Sequence, residues 1–156
     1  MTIDEARFRQ TLGYFASGVT VVTTGQEGDF HGMTVSSFSS LSLNPPLILI
    51  CIDKAVPTHD ILARSGQFVV NVLEKRQEHL SRRFATSNAD KFRGIAWHMG
   101  TLGIPVLDNV LAVIECRISA TYEGGDHTIF AGTVIDTDVH EGTPLLYYRR
   151  GYHELK

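Results

Sequence analysis

The sequence is poor in the residues that would mark several protein classes. Only two cysteines, Cys51 and Cys116, occur in 156 residues, and both sit inside apolar runs. That excludes a disulfide scaffold and fits reduced core thiols in a reducing compartment. The longest apolar run, Leu47-Ile-Leu-Ile-Cys-Ile52, is six residues, far short of the roughly 20 that a membrane-spanning helix needs. The opening Met-Thr-Ile-Asp-Glu has no basic patch followed by an apolar segment, so no signal peptide is read and the cytoplasm is the expected location. Charge of either sign is scarce: Lys+Arg 14 against Asp+Glu 17 leaves a net −3. A nucleic-acid binder would carry a clustered basic excess, so neither nucleic acid nor membrane is an expected partner.

Local chemical signatures are missing too. No G-x-G-x-x-G and no G-x-x-x-x-G-K-[ST] is present, so neither common phosphate-cradling loop is available. The seven histidines are never closer than thirteen residues to one another, and no paired-cysteine spacing occurs, so a sequence-local metal site is not expected. A G-x-S-x-G elbow is also absent. Hydrolase and zinc-enzyme readings lose their usual support.

What is present is a chain, 43% hydrophobic, long enough to bury a core as one domain over residues 1–156. Thr2-x-x-Glu5 has capping-box form and predicts a helix carrying Phe8, Leu12, Phe15 and Ala16, with Gly18 as its stop. Val19-Thr-Val-Val-Thr-Thr24 then predicts a strand, the turn at 26–29 a hairpin, and residues 30–38 its return. Leu47 to Ile52 predicts a strand buried on both faces. Thr58, after Pro57, can cap a short helix over 60–64, ended by Ser65-Gly66; then come a strand over 68–73 and a helix over 77–85. Residues 87–103 show no regular pattern. Ala112, Ile114, Cys116, Ile118 and Ala120 alternate with more polar neighbours and predict a half-exposed strand. Gly124-Gly125-Asp126-His127 breaks it, 128–138 reads as its partner, and 145–149 as a last strand. Such strands with a few short helices and mostly tight turns predict a mainly β, closed or nearly closed antiparallel barrel.

The densest polar feature is the block from Gly32 to Pro46, with hydroxyls at Thr34, Ser36, Ser37, Ser39, Ser40 and Ser42. It is either an edge strand facing water or a surface of short donors for a polar, flat or phosphorylated ligand. Arg82, Arg83, Lys91 and Arg93 likewise form either a phosphate-binding cluster or a solvated face.

Six segments in order carry a family resemblance: Phe15-Ala-Ser-Gly-Val-Thr-Val-Val-Thr-Thr24, Gly32-Met-Thr-Val-Ser-Ser-Phe38, Ser40-Leu-Ser-Leu-Asn-Pro-Pro46, Phe68-Val-Val-Asn-Val-Leu73, Gly125-Asp-His127 and Pro144-Leu-Leu-Tyr-Tyr148. Together they resemble the short-chain flavin reductases, the NAD(P)H-dependent partners of two-component flavin monooxygenases such as phenol and hydroxyphenylacetate hydroxylases. The resemblance implies a Greek-key split β-barrel of the FMN-binding type with a few short peripheral α-helices. It implies a homodimer with flavin (FAD or FMN) at the interface, NADH or NADPH as hydride donor, and a separate monooxygenase as recipient of reduced flavin. Carried over by residue, Thr34, Val35, Ser36 and Ser37 would hold the flavin ring and ribityl chain. Cys51, Ile52, Asp53 and Lys54 would continue along it, with Lys54 toward the phosphate. Phe84, Ala85 and Lys91 would approach the phosphate or adenylate end. His127 would reach the flavin face and contact the nicotinamide as the catalytic residue, and Tyr152 would help close that pocket. Two alternatives stay open: a non-catalytic flavin- or haem-binding split-barrel protein, and a flavin-dependent reductase of a corrinoid or ferric complex.

Overall fold

The computed structural model describes residues 2–87 and 90–156. In chain order it contains α1 (Glu5–Leu12), β1 (Ser17–Gly18), β2 (Thr20–Gln26), β3 (Asp29–Val35), β4 (Phe38–Leu43), β5 (Pro46–Asp53), α2 (Pro57–Ser65) and β6 (Gln67–Val72). A single 3-10 turn (Lys75–Gln77) leads into α3 (Glu78–Phe84). β7 (Trp97–Met99), β8 (Pro105–Leu107), β9 (Ala112–Gly124), β10 (His127–Val139), β11 (Leu145–Tyr148) and β12 (Gly151–Glu154) complete it.

Seven strands form one sheet in the order β3-β2-β6-β9-β10-β5-β4. Its two edges, β3 and β4, are consecutive in the chain and joined only through Ser36 and Ser37. Three residue steps reach at most about 11 Å, whereas seven flat strands would set the edges roughly 29 Å apart. The sheet therefore has to curl until its edges approach. The Ser37 carbonyl accepts from the Cys51 N–H at 3.0 Å, tying the crossing to β5. This is the split barrel that the sequence resemblance implies.

The barrel's inner cluster takes Val22, Ile50, Ile52, Phe68, Val70, Cys116 and Phe130, with Leu62 of α2 plugging one end. The opposite face of β2, β6 and β9 presents Val21, Val69 and Val113 to a second cluster built with Leu80 and Phe84 of α3, Ile104, Val106, Leu107 and Leu145. Gly66 ends α2 in the left-handed region (φ 71), its N–H donating to the Leu62 carbonyl, a conformation glycine adopts without a Cβ penalty.

Several expectations need correction. α1 is capped by Asp4, whose carboxylate accepts from the Ala6 N–H, and it ends at Gly13; no residue of it is buried. Phe8, Leu12 and Phe15 are all exposed, Phe15 by 81%. β5 is not buried on both faces: Ile48, Ile50 and Ile52 point inward while Leu47, Leu49 and Cys51 stay half-buried. The strands buried on both faces are β2 and β6, because α3 and the 97–107 segment cover the outer side. β9 alternates as expected only beyond Cys116; Val113 and Glu115 are buried. Glu115 is compensated by backbone N–H donors from Thr101 and Leu102 at 3.1 and 2.9 Å. The irregular 87–103 stretch contributes β7, which pairs with β8; its residues 88 and 89 lie outside the described residues.

Candidate active site

A cleft of about 580 Å3 opens where three elements meet. β3 supplies Phe30 to Thr34, the entry of α2 supplies Val56, Pro57 and Thr58, and the end of α3 with its following loop supplies Phe84 to Ser87 and Asp90 to Phe92. The close approach of β3 to α3 depends on Gly32. A Cβ there would lie 2.8 Å from the Phe84 ring, a separation that native packing does not tolerate.

Polar staples hold these walls. The Thr34 hydroxyl donates to the Ser81 carbonyl at 2.6 Å. The Lys91 ammonium donates to the carbonyls of Gly32 at 3.1 Å and Phe84 at 3.2 Å, bridging β3 and α3. Burial lowers the Lys91 pKa below the usual lysine range, because desolvation disfavours the charged form. The loop after α3 is drawn in by Arg83, whose guanidinium donates to the carbonyls of Lys91, Asp90 and Arg93. Edge-to-face contacts link Phe84 to Phe92, Phe92 to Trp97 and Trp97 to Phe30, forming an aromatic wall along one side.

The sequence-predicted residues fall into three groups. Thr34, Phe84, Ala85 and Lys91 line the cleft together. Ser36 and Ser37 are exposed at the adjoining β3–β4 crossing, while the Val35 and Ile52 side chains are core and have only backbone atoms to offer a ligand. A second group gathers at the β9–β10 hairpin, where His127 pairs with Asp53 across β5. Its Nδ1 lies 2.7 Å from Asp126 Oδ1, an interaction that holds the Asp126 carboxyl below its ordinary range. Lys54 is engaged there: its N–H donates to the Asp126 carbonyl and its ammonium pairs with Glu123. Cys51 is half-buried on β5, and burial raises its thiol pKa. Tyr152 stands apart from the cleft lining, against α3. Its hydroxyl meets the Ser81 hydroxyl at 2.7 Å and its ring lies under the Arg82 guanidinium.

The expected cationic cluster is thus largely committed to structure: Arg83 to loop carbonyls, Arg82 to Glu78 and Tyr152. Sequence reasoning missed the aromatic wall, which comes from three separate segments, and Thr58, read only as a cap. The cap reading is itself corrected. Val56 is the N-cap and Pro57 opens the helix, so Thr58 lies inside the first turn. Among the described residues no group of three or more His, Cys, Asp or Glu is placed to hold a metal ion. No helix among them is long and apolar enough to cross a membrane.

Comparison with known proteins covers nearly the whole chain. It is 42% identical over 151 residues to the flavin-dependent monooxygenase reductase subunit HsaB of Rhodococcus jostii, spanning 96% of this chain and 77% of that one. It is 44% identical over 137 residues to an NADH-dependent FAD reductase of Streptomyces globisporus, spanning 85% and 75%. The solved Streptomyces globisporus NADH:FAD oxidoreductase SgcE6, in complex with NAD and FAD fragments, superposes with a TM-score of 0.95 at 39% identity, covering 98% of this chain and 93% of that one. Residues 12–156 match the model of the flavin reductase like domain, and the chain belongs to that family.

Proposed function

We propose that this chain is an NAD(P)H:flavin oxidoreductase that passes hydride from NADH (or NADPH) to FAD or FMN and supplies the reduced flavin to a separate flavin-dependent monooxygenase. The observation that carries this reading is the cleft between β3 and α3, walled by a Gly32–Phe84 contact and stapled by Thr34 and Lys91. Its residues fit a flavin: an open space beside an aromatic wall, with short hydroxyls and backbone amides nearby. The hydride chemistry belongs to the flavin and the nicotinamide, so no protein nucleophile is required.

The chain's own residues have to bind and orient. Thr34, locked onto Ser81, fixes the position of β3 against α3 and so sets the width of the cleft. Ser36, Ser37 and the backbone from Cys51 to Asp53 offer donors along the adjoining crossing, where an anionic reduced ring gains most from preorganised N–H and O–H groups. His127, fixed through Nδ1, keeps Nε2 for a nicotinamide brought over the flavin, an orienting role that lowers the entropic part of the barrier. Tyr152 acts through Ser81, behind the same wall. The reading further takes residues 1–156 as one functional domain, a homodimer as the working unit and the cytoplasm as its location.

The deciding experiment is aerobic oxidation of NADH and NADPH with FMN, FAD and riboflavin in turn. Flavin-dependent oxidation supports the reductase. Flavin binding without turnover identifies a carrier, and much faster turnover with a ferric or corrinoid acceptor identifies a reductase of that acceptor.

A further inference from the structure

His127 is the last rung of two ladders: it pairs with Asp53 at the end of β5 and with Gly124 at the end of β9. Strand ends fray, yet a group that orients a ligand has to keep its place to within about 0.5 Å. Besides a backbone bond from Lys54 to the Asp126 carbonyl, two side-chain contacts among the described residues tie this tip to the 54–59 segment. The first, Lys54 to Glu123, is an ion pair whose carboxylate is 83% exposed, and such pairs contribute little. The second is buried.

It is made by His59, the third residue of α2, directly after Pro57 and Thr58, which line the cleft. The His59 side chain is 16% exposed. Its Nδ1 lies 2.9 Å from Asp60 Oδ1, and its Nε2 lies 2.8 Å from the hydroxyl of Thr128, a residue 8% exposed. A carboxylate only accepts, so Nδ1 carries the proton and, in the neutral ring, Nε2 accepts from Thr128. The ring also meets Phe130 edge-to-face, with centroids 5.5 Å apart. Thr128 and Phe130 are alternate residues of β10 and share its buried face, which leaves His127 and Ile129 on the other. One imidazole thus holds two successive inward side chains of the strand end that presents His127. α2 touches both halves of the reaction: its first two residues wall the cleft, and its third holds β10.

We propose that His59 is a positioning residue for hydride transfer: through the Thr128 hydroxyl and the Phe130 ring it sets the His127 end of β10 at a fixed distance from the α2 wall of the cleft. The inference rests on the cleft being the flavin site and on His127 orienting the nicotinamide. His59 itself lies off the cleft lining, so its loss should slow the reaction step and spare flavin binding.

The test is stopped-flow reduction of flavin by NADH in the full-length protein, with flavin affinity from fluorescence titration. His59→Phe keeps a ring against Phe130 without the nitrogens, and Thr128→Val keeps the shape of Thr128 without the hydroxyl. Each should lower the limiting reduction rate about fivefold, the order of one neutral hydrogen bond, and leave the flavin Kd within about twofold of wild type. Thr128→Ser, which keeps the hydroxyl, should retain the wild-type rate. Combined with His127→Ala, neither His59→Phe nor Thr128→Val should slow reduction further, because no imidazole is left to position.

An unchanged rate in either His59→Phe or Thr128→Val overturns the proposal while leaving the flavin cleft and His127 standing. So does Thr128→Ser if it is as slow as Thr128→Val. A further loss on top of His127→Ala also overturns it, by marking a general loosening of the fold, and a parallel loss of flavin affinity does so by marking damage to the cleft wall. If His127→Ala alone leaves reduction unchanged, the His127 reading fails and the positioning role with it. If the wild-type protein reduces no flavin, the reductase reading fails first.

Discussion

At the scale of single residues, His127 carries the most specific expectation. It begins β10 at the tip of a hairpin, half-buried, with one ring nitrogen held by the neighbouring Asp126 carboxylate. An imidazole fixed in this way orients a partner without having to exchange a proton. His127→Ala should therefore slow hydride transfer by about tenfold or more, roughly 1.4 kcal/mol of transition-state stabilisation, while flavin affinity stays near the wild-type value. Stopped-flow reduction at a series of NADH concentrations separates the two quantities, and unchanged reduction throughout would remove His127 from the reaction. Lys54 and Arg83 are paired in the folded chain, and that pairing depends on which chain segment arrives alongside. Glu123 and the loop carbonyls at 90–93 arrive only through the fold.

At the scale of elements, the β11–β12 hairpin shows a local conflict. Its two-residue turn is Arg149-Arg150, with φ 49 and φ 66, the left-handed geometry that tight hairpins favour and that Asn-Gly satisfies best. Arg149 is compensated, since its guanidinium stacks over the Tyr14 ring and its N–H donates to the Gly13 carbonyl. Arg150 is exposed, and nothing comparable among the described residues fixes its side chain. Replacing it with glycine relieves a left-handed cost of about 1–2 kcal/mol, partly offset by glycine's greater freedom when unfolded. Arg150→Gly should raise stability by about 0.5–1 kcal/mol in urea denaturation; a lower midpoint would show that Arg150 makes a stabilising contact. The elements most legible in the sequence were those whose presence as strands follows from their own pattern: β2, β6, and the β9–β10 pair around its Gly-Asp break. Less legible was burial imposed from outside. Val113 and Glu115 look half-exposed along β9 until the 97–107 segment folds over them, and that segment has no period of its own. The candidate site divided the same way. Thr34, Phe84, Ala85 and Lys91, named through ordered resemblance, line one cleft, whereas Thr58 joins that lining only through the fold.

At the scale of the whole molecule, unspent apolar surface becomes the governing fact. α1 buries nothing and leaves Phe8 and Leu12 exposed; Phe15 follows it at 81% exposure. On edge strand β4, Leu41 is 50% exposed and Leu43 97%. The outer face of β5 remains half-buried through Leu47, Leu49 and Cys51. An exposed sheet edge with apolar side chains invites association unless something covers it. The same region borders the Ser36–Ser37 crossing, so a covering partner would also enclose the donors proposed for the flavin. A second copy of this chain is the simplest occupant, because an isologous contact buries both copies of one patch at once. It would also supply walls that one cleft of about 580 Å3 lacks for two dinucleotide-sized ligands. Sedimentation velocity of the wild-type chain should then report a dimer at micromolar concentration. Leu43→Asp combined with Phe15→Asp, both placed on exposed positions where folding of the protomer is little affected, should shift it toward monomer and lower flavin affinity in parallel. A wild-type monomer that binds flavin and turns over NADH at full rate would show instead that one protomer completes the site alone.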